Sequence, residues 1–140
     1  MTSEPAAAGA DDETSVFEAA GGMPFFERLV DGFYDRVATD EVLLRLYPER
    51  DDLGPARRRL TLFLAQYWGG PTTYSAERGH PRLRARHFEF PIGPEERDHW
   101  LEAMRASLAV TAAELGTPPV VVERIDGYLA MAAEAMRNRS

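Results

Sequence analysis

Between residues 26 and 37, apolar side chains fall at Phe26, Leu29, Val30, Phe33, Tyr34 and Val37. That spacing lays one face of a helix against a core. Pro24, just ahead, suits the first turn of such a helix. Upstream, Thr14-Ser15-Val16-Phe17-Glu18 has the form of a capping box, opening a short helix that Gly21-Gly22 stops. Downstream, Asp40 caps a short continuation over 41–47, which Pro48 ends. A polar turn over 49–54 leads to Pro55 and a second stripe of Ala56, Leu60, Phe63, Leu64, Tyr67 and Trp68, broken by Gly69-Gly70-Pro71. Residues 72–81 read as a loop of turn formers, 82–87 as a short helix at most, and 88–93 as an extended linker. Pro94, with Glu95 and Glu96 at the positive helix end, opens the longest helix. Its inward positions are Trp100, Leu101, Met104, Leu108 and Leu115, and Gly116 ends it. Pro118-Pro119 begins the last helix, with Val122, Ile125, Leu129, Ala132, Ala133 and Met136 inward. No alternation is sustained and no hairpin dipeptide links strands. The pattern predicts an all-α chain of four substantial helices on short connectors.

Length and composition narrow the picture. A chain of 140 residues is expected to form one domain, burying about 68–70% of its unfolded surface. Residues 1–13 lack apolar periodicity and are expected to be a disordered tail, leaving 14–140 as the domain. There is no cysteine, which excludes disulfides, thiolate metal sites and thioether-linked haem, and is compatible with a reducing cytoplasm. No apolar run reaches the roughly 18 residues a membrane span needs, so a cytoplasmic protein with no membrane span is expected. The net charge of −7 argues against non-specific nucleic-acid binding. All sixteen basic residues are arginine. Seven of them (Arg57, Arg58, Arg59, Arg78, Arg82, Arg84 and Arg86) face a single acid, Glu77, between Leu53 and Phe88. An acidic chain thus concentrates its positive charge in one segment. That segment reads either as a solvated helix face or as an anion site.

Three histidines offer chemistry. His80 precedes Pro81, which pushes it out of helical conformation and into a turn role. His99 falls on the polar side of the long helix with Glu95, Asp98 and Glu102, where a solvated surface position is expected. His87 closes the arginine-rich run and is followed by Phe88 and Phe90, so it is expected to face apolar surroundings. An imidazole in an apolar, arginine-rimmed slot is what an iron porphyrin requires; a hydrogen-bonded structural histidine is the alternative. Tyr34, Tyr47 and Trp100 occupy buried-facing positions and carry donors that need partners, either in ordinary core hydrogen bonds or around a bound anionic ligand. Hydrolase, P-loop, dinucleotide and zinc-protease motifs are absent. Glu96-Arg97-Asp98-His99 gives one Glu-x-x-His spacing with no second copy for a di-iron site.

Phe33-Tyr34, Tyr47-Pro48, the run from Phe63-Leu64-Ala65-Gln66 through Tyr67-Trp68-Gly69-Gly70-Pro71, Tyr74-Ser75, Gly79-His80-Pro81-Arg82-Leu83-Arg84, Arg86-His87 and Trp100 resemble the group II truncated haemoglobins. The resemblance spans residues 16–136, and the tract 67–87 is its most specific part. It implies a two-over-two helical sandwich around haem b, with His87 as the iron's proximal ligand and Tyr34, Tyr47 and Trp100 as distal donors. Ala56 falls where full-length globins usually carry a distal histidine, and Leu60 and Phe63 are expected to line the distal wall. Arg59 and Arg86 are the expected partners of the haem propionates. The implied function is reversible binding of dioxygen and other diatomic gases. The competing readings are nitric oxide dioxygenation or peroxidase-type chemistry on the same haem, fed by an external reductase, and a cofactor-free helical interaction module. Apolar helix faces leave room for a homodimer, although the core needs the same stripes.

Overall fold

The computed structural model describes residues 14–82, 87 and 90–140, in which every regular element is a helix. They are α1 (Val16–Ala20), α2 (Met23–Val37), α3 (Glu41–Leu44), α4 (Gly54–Tyr67), α5 (Thr73–Arg78), α6 (Pro94–Leu115) and α7 (Pro119–Ala135). No strand occurs among the described residues. The tail over 1–13 lies outside them.

The starts and stops follow local chemistry. Ser15 caps α1, its hydroxyl accepting from the Glu18 amide at 3.1 Å. The Asp40 carboxylate accepts from the amides of Val42 and Leu43 at 3.0 and 3.3 Å, satisfying donors that the first turn of α3 leaves open. Glu96 reaches back to the Gly93 amide at 2.9 Å and closes the start of α6. Prolines occupy the first turns of α2, α4, α6 and α7, where their missing N–H costs nothing.

α2 carries the core. Every member of its predicted stripe is buried, together with Phe25. Phe25, Phe26 and Phe33 are fully enclosed, each burial contributing about 1.5–3 kcal/mol. α2 packs on α4 and most extensively on α6, which in turn packs on α7. Two helix pairs, α2 with α4 and α6 with α7, thus stack as a two-over-two sandwich.

α2 and α6 pack closely at Gly32. A Cβ there would sit 2.3 Å from the Ser107 hydroxyl, which donates to the Leu29 carbonyl at 2.7 Å across the α2–α6 interface. Gly32→Ala should therefore cost about 1–3 kcal/mol despite alanine's better helix propensity, because Ser107 must leave both its place and its acceptor. Urea unfolding of this variant, alone and combined with Ser107→Gly, checks this. The double variant should recover part of the loss.

Several expectations are corrected. Residues 72–81 contain a helix, α5, rather than only loop. α3 ends at Leu44, and the chain reaches Tyr47 through turns closed by Leu46 and Tyr47 amides onto Leu43 and Leu44 carbonyls. Leu115 is half exposed, and the buried side of α6 instead includes Ser107 and Thr111. The stripe drifts because a straight helix of 22 residues rotates out of register with a fixed apolar repeat. On α7 Val121 is buried, while Val122 is only partly so. Tyr67, at the end of α4, is also half exposed.

Candidate functional site

A cavity of about 660 Å³ opens between the α3–α4–α5 side and the facing ends of α6 and α7. Of the nine residues expected at a site, eight line it: Tyr34, Tyr47, Ala56, Arg59, Leu60, Phe63, His87 and Trp100. The ninth, Arg86, lies outside the described residues. Seven of the eight are delivered by a named helix or the turn after one. α2 presents Tyr34 from its last turn, and the turn after α3 presents Tyr47. α4 presents Ala56, Arg59, Leu60 and Phe63 one helical turn apart, and α6 brings Trp100 from its second turn.

Tyr34, Tyr47 and Trp100 line the cavity together. Tyr34 is 4% exposed, and its ring meets that of Tyr47 edge-on at 5.6 Å. Trp100 packs edge-on against Phe33 at 5.7 Å. Burial raises the Tyr34 hydroxyl's pKa, against the lowering influence of Tyr47, Arg59 and Arg57. Tyr47 is driven well above its ordinary value, by burial first and by Tyr34 second. Both hydroxyls therefore stay protonated through neutral pH and remain able to donate. The Trp100 indole is a donor only.

The histidines divide as follows. His80 holds a turn, its Nδ1 accepting from the Arg82 amide at 3.1 Å while Arg82 adopts a left-handed φ of 45°. His87 has helical backbone and lines the cavity. His99 stays partly exposed, and it carries a partner the sequence did not reveal: its Nδ1 lies 2.8 Å from Asp40 Oδ2. This pair ties the cap of α3 to α6, next to Trp100. A second tie runs from Arg45 to Glu96 at 2.9 Å and to Glu95 at 3.5 Å. The Asp40 bond is the main cause of a raised His99 pKa, partly opposed by desolvation. Because the folded value lies above the unfolded 6.5, the tie contributes fully below that pH and fades as pH rises through the raised value. Asp40→Asn should bring the His99 titration midpoint, followed by NMR, back toward its ordinary value.

Two lining residues on α5, Tyr74 and Arg78, were not anticipated. They sit four positions apart on one face, but a helix this short between Pro71 and Gly79 shows no periodicity to read. Tyr74 packs edge-on against Phe63 at 5.5 Å. Arg59 lies 3.6 Å from Glu49 at the rim.

The chemistry of this set is specific. A volume of this size falls within the range of about 300–1,000 Å³ typical of small-molecule and cofactor sites. Its walls are largely apolar, and it holds one imidazole. No group of three or more His, Cys, Asp or Glu gathers as a metal cage among the described residues. Such a site suits a metal that arrives with its own equatorial ligands, as iron does in a porphyrin, and needs a single protein nitrogen. Guanidiniums at Arg59 and Arg78 suit the carboxylates such a macrocycle carries. The residues present thus fit a haem.

Comparison with known proteins agrees. Residues 15–136 match the bacterial-like globin family. The chain is 39% identical over 119 residues to group 2 truncated hemoglobin YjbI of Bacillus subtilis, covering 85% of this chain and 86% of that protein. Among solved structures, a thermostable hemoglobin from the actinobacterium Thermobifida fusca superposes with a TM-score of 0.82 at 53% identity, covering 89% of this chain and 97% of that one. A truncated oxygen-avid haemoglobin from Bacillus subtilis superposes with a TM-score of 0.78 at 39% identity, covering 89% and 99%. With a two-over-two helical core and a cavity that receives one imidazole, this chain belongs to the group II truncated haemoglobins, a branch of the bacterial-like globins, whose members carry haem and bind diatomic gases.

Proposed function

We propose that residues 14–140 form one unit that holds haem b through His87 and binds dioxygen reversibly. The observation that carries this reading is the convergence of one imidazole, apolar walls, rim guanidiniums and hydroxyl and indole donors on a single cavity. When bound, the haem supplies a ferrous iron with a site open to a diatomic gas.

This chain's residues supply the rest. His87, which lines the cavity, would hold the iron through an imidazole nitrogen. Ala56 brings no side-chain donor or acceptor, and with Leu60 and Phe63 it makes an apolar wall that excludes water. Tyr47 and Trp100 would supply O–H and N–H donors toward a bound gas, with Tyr34 hydrogen-bonded to Tyr47. Hydrogen bonds to a charged group contribute about 1.5–3 kcal/mol each, so slow gas release follows. Arg59, Arg78 and Arg86 are the candidates for the propionates. The name of the oxygen-avid Bacillus subtilis relative supports the same direction. No helix among the described residues is long and apolar enough to cross a membrane, and the cysteine-free composition suits work in the cytoplasm.

The test is a titration of haem into the purified chain, followed by absorption spectra in the ferric, ferrous and carbonmonoxy states. One-to-one uptake with an intense Soret band is expected. Absence of uptake contradicts the reading and favours a cofactor-free helical module.

A further inference from the structure

The segment that carries His87 is held from the far end of the chain. Asn138 lies beyond α7 and beyond the last apolar stripe position, Met136. Its Nδ2 donates to the Phe90 carbonyl at 2.8 Å and to the His87 carbonyl at 3.3 Å. Its Oδ1 accepts from the Ile92 amide at 2.9 Å. Its own amide donates to the Ile92 carbonyl at 2.8 Å, and the Arg139 amide adds a bond to the same oxygen at 3.1 Å. The Phe90 amide closes back onto the His87 carbonyl at 3.0 Å.

Each half of the Asn138 amide thus has its own task. The donor half bonds the Phe90 carbonyl and adds a second donor to the His87 carbonyl. The acceptor half and the backbone bonds pin Ile92, whose side chain lines the cavity alongside His87 and Phe90. These bonds tie the backbone at His87, Phe90 and Ile92 to a residue beyond α7.

We infer that Asn138 is a positioning residue for the axial histidine: its side-chain amide sets the place of His87 in the cavity by fixing the backbone of His87, Phe90 and Ile92. This rests on the proposed haem ligation by His87. A ligand held this way keeps its nitrogen at one distance and orientation, so the strength of the axial bond depends on a residue that touches neither haem nor gas. Outer partners of metal ligands typically change affinity about 10–100-fold when lost.

The test compares wild type with Asn138→Ala and Asn138→Asp. Aspartate keeps the acceptor for Ile92 but loses the donor to His87 and Phe90, so it separates the two halves of the amide. The first readout needs no haem: amide hydrogen exchange at Phe90 and Ile92 in the full chain as purified. Alanine should speed exchange at both positions, and aspartate chiefly at Phe90. The second readout is the rate of haem transfer from the loaded protein to an excess of acceptor apoglobin, with the iron–histidine vibration of the ferrous form. Both variants should lose haem about tenfold faster, with that vibration lowered or broadened.

Unchanged exchange at Phe90 and Ile92 overturns the inference. So does faster exchange with an unaltered transfer rate and iron–histidine vibration, because Asn138 would then be structural only. A wild-type chain that takes up no haem overturns the reading beneath it, and the spectra of the same samples show which has failed.

Discussion

Replacing Tyr47 and Trp100 together with phenylalanine should speed dioxygen release about 10²- to 10⁴-fold while leaving haem uptake unchanged. The two donors come from different elements, the turn after α3 and the second turn of α6, and both line the cavity. The Tyr47 change also removes its hydrogen bond with Tyr34, while the phenylalanine ring keeps the edge-on contact. The single Tyr34→Phe variant separates that loss from the bonds to the gas. Tyr34→Phe alone should have a smaller effect. Tyr34 sits beside Tyr47 closely enough that each perturbs the other's ionisation, and it acts on the gas through that neighbour. For the same reason the effects of Tyr34→Phe and Tyr47→Phe should not add. Stopped-flow displacement of dioxygen by carbon monoxide measures all of these rates. An unchanged rate in the double variant would remove the distal network from the account.

The second large effect concerns His87. His87→Gly should weaken haem retention at least roughly a hundredfold, since losing the ligand should cost no less than losing its outer partners. The apolar walls at Leu60 and Phe63 would still attract the macrocycle, so some pigment should remain, with an altered ferrous spectrum. Free imidazole added to this variant should occupy the vacated space and restore the wild-type spectrum. A variant that keeps haem and spectrum unchanged without imidazole would assign the iron to another group.

Legibility in the sequence followed the range of the interactions. The stripe on α2 was readable because seven buried residues on one face leave a periodic trace in the sequence itself. The caps at Ser15 and Asp40 were readable because each acts within three residues. The site residues emerged because the tract 67–87 and the flanking aromatic pairs have a recognisable combination of residue types. Long-range polar ties left no such trace. Asp40 and His99 are 59 positions apart, and charge pattern alone put His99 on a solvated face. Asn138 follows the last apolar stripe position, where nothing in periodicity distinguishes it from a fraying end. Ser107 carries no apolar signal, and its burial makes sense only once Gly32 is seen to make room for it and the Leu29 carbonyl to accept its hydrogen bond. Tyr74 and Arg78 were lost to the glycines and prolines around α5, which signal loop more strongly than six residues can signal helix.

The most direct test of the central claim is resonance Raman spectroscopy of the ferrous haem-loaded protein carrying His80→Gln and His99→Gln, with histidine either unlabelled or enriched in nitrogen-15. His87 is then the one histidine left in the chain. The account predicts a low-frequency metal–imidazole stretching band that moves to lower frequency on labelling. A ferrous spectrum without that band, or with a band the label does not move, would contradict it.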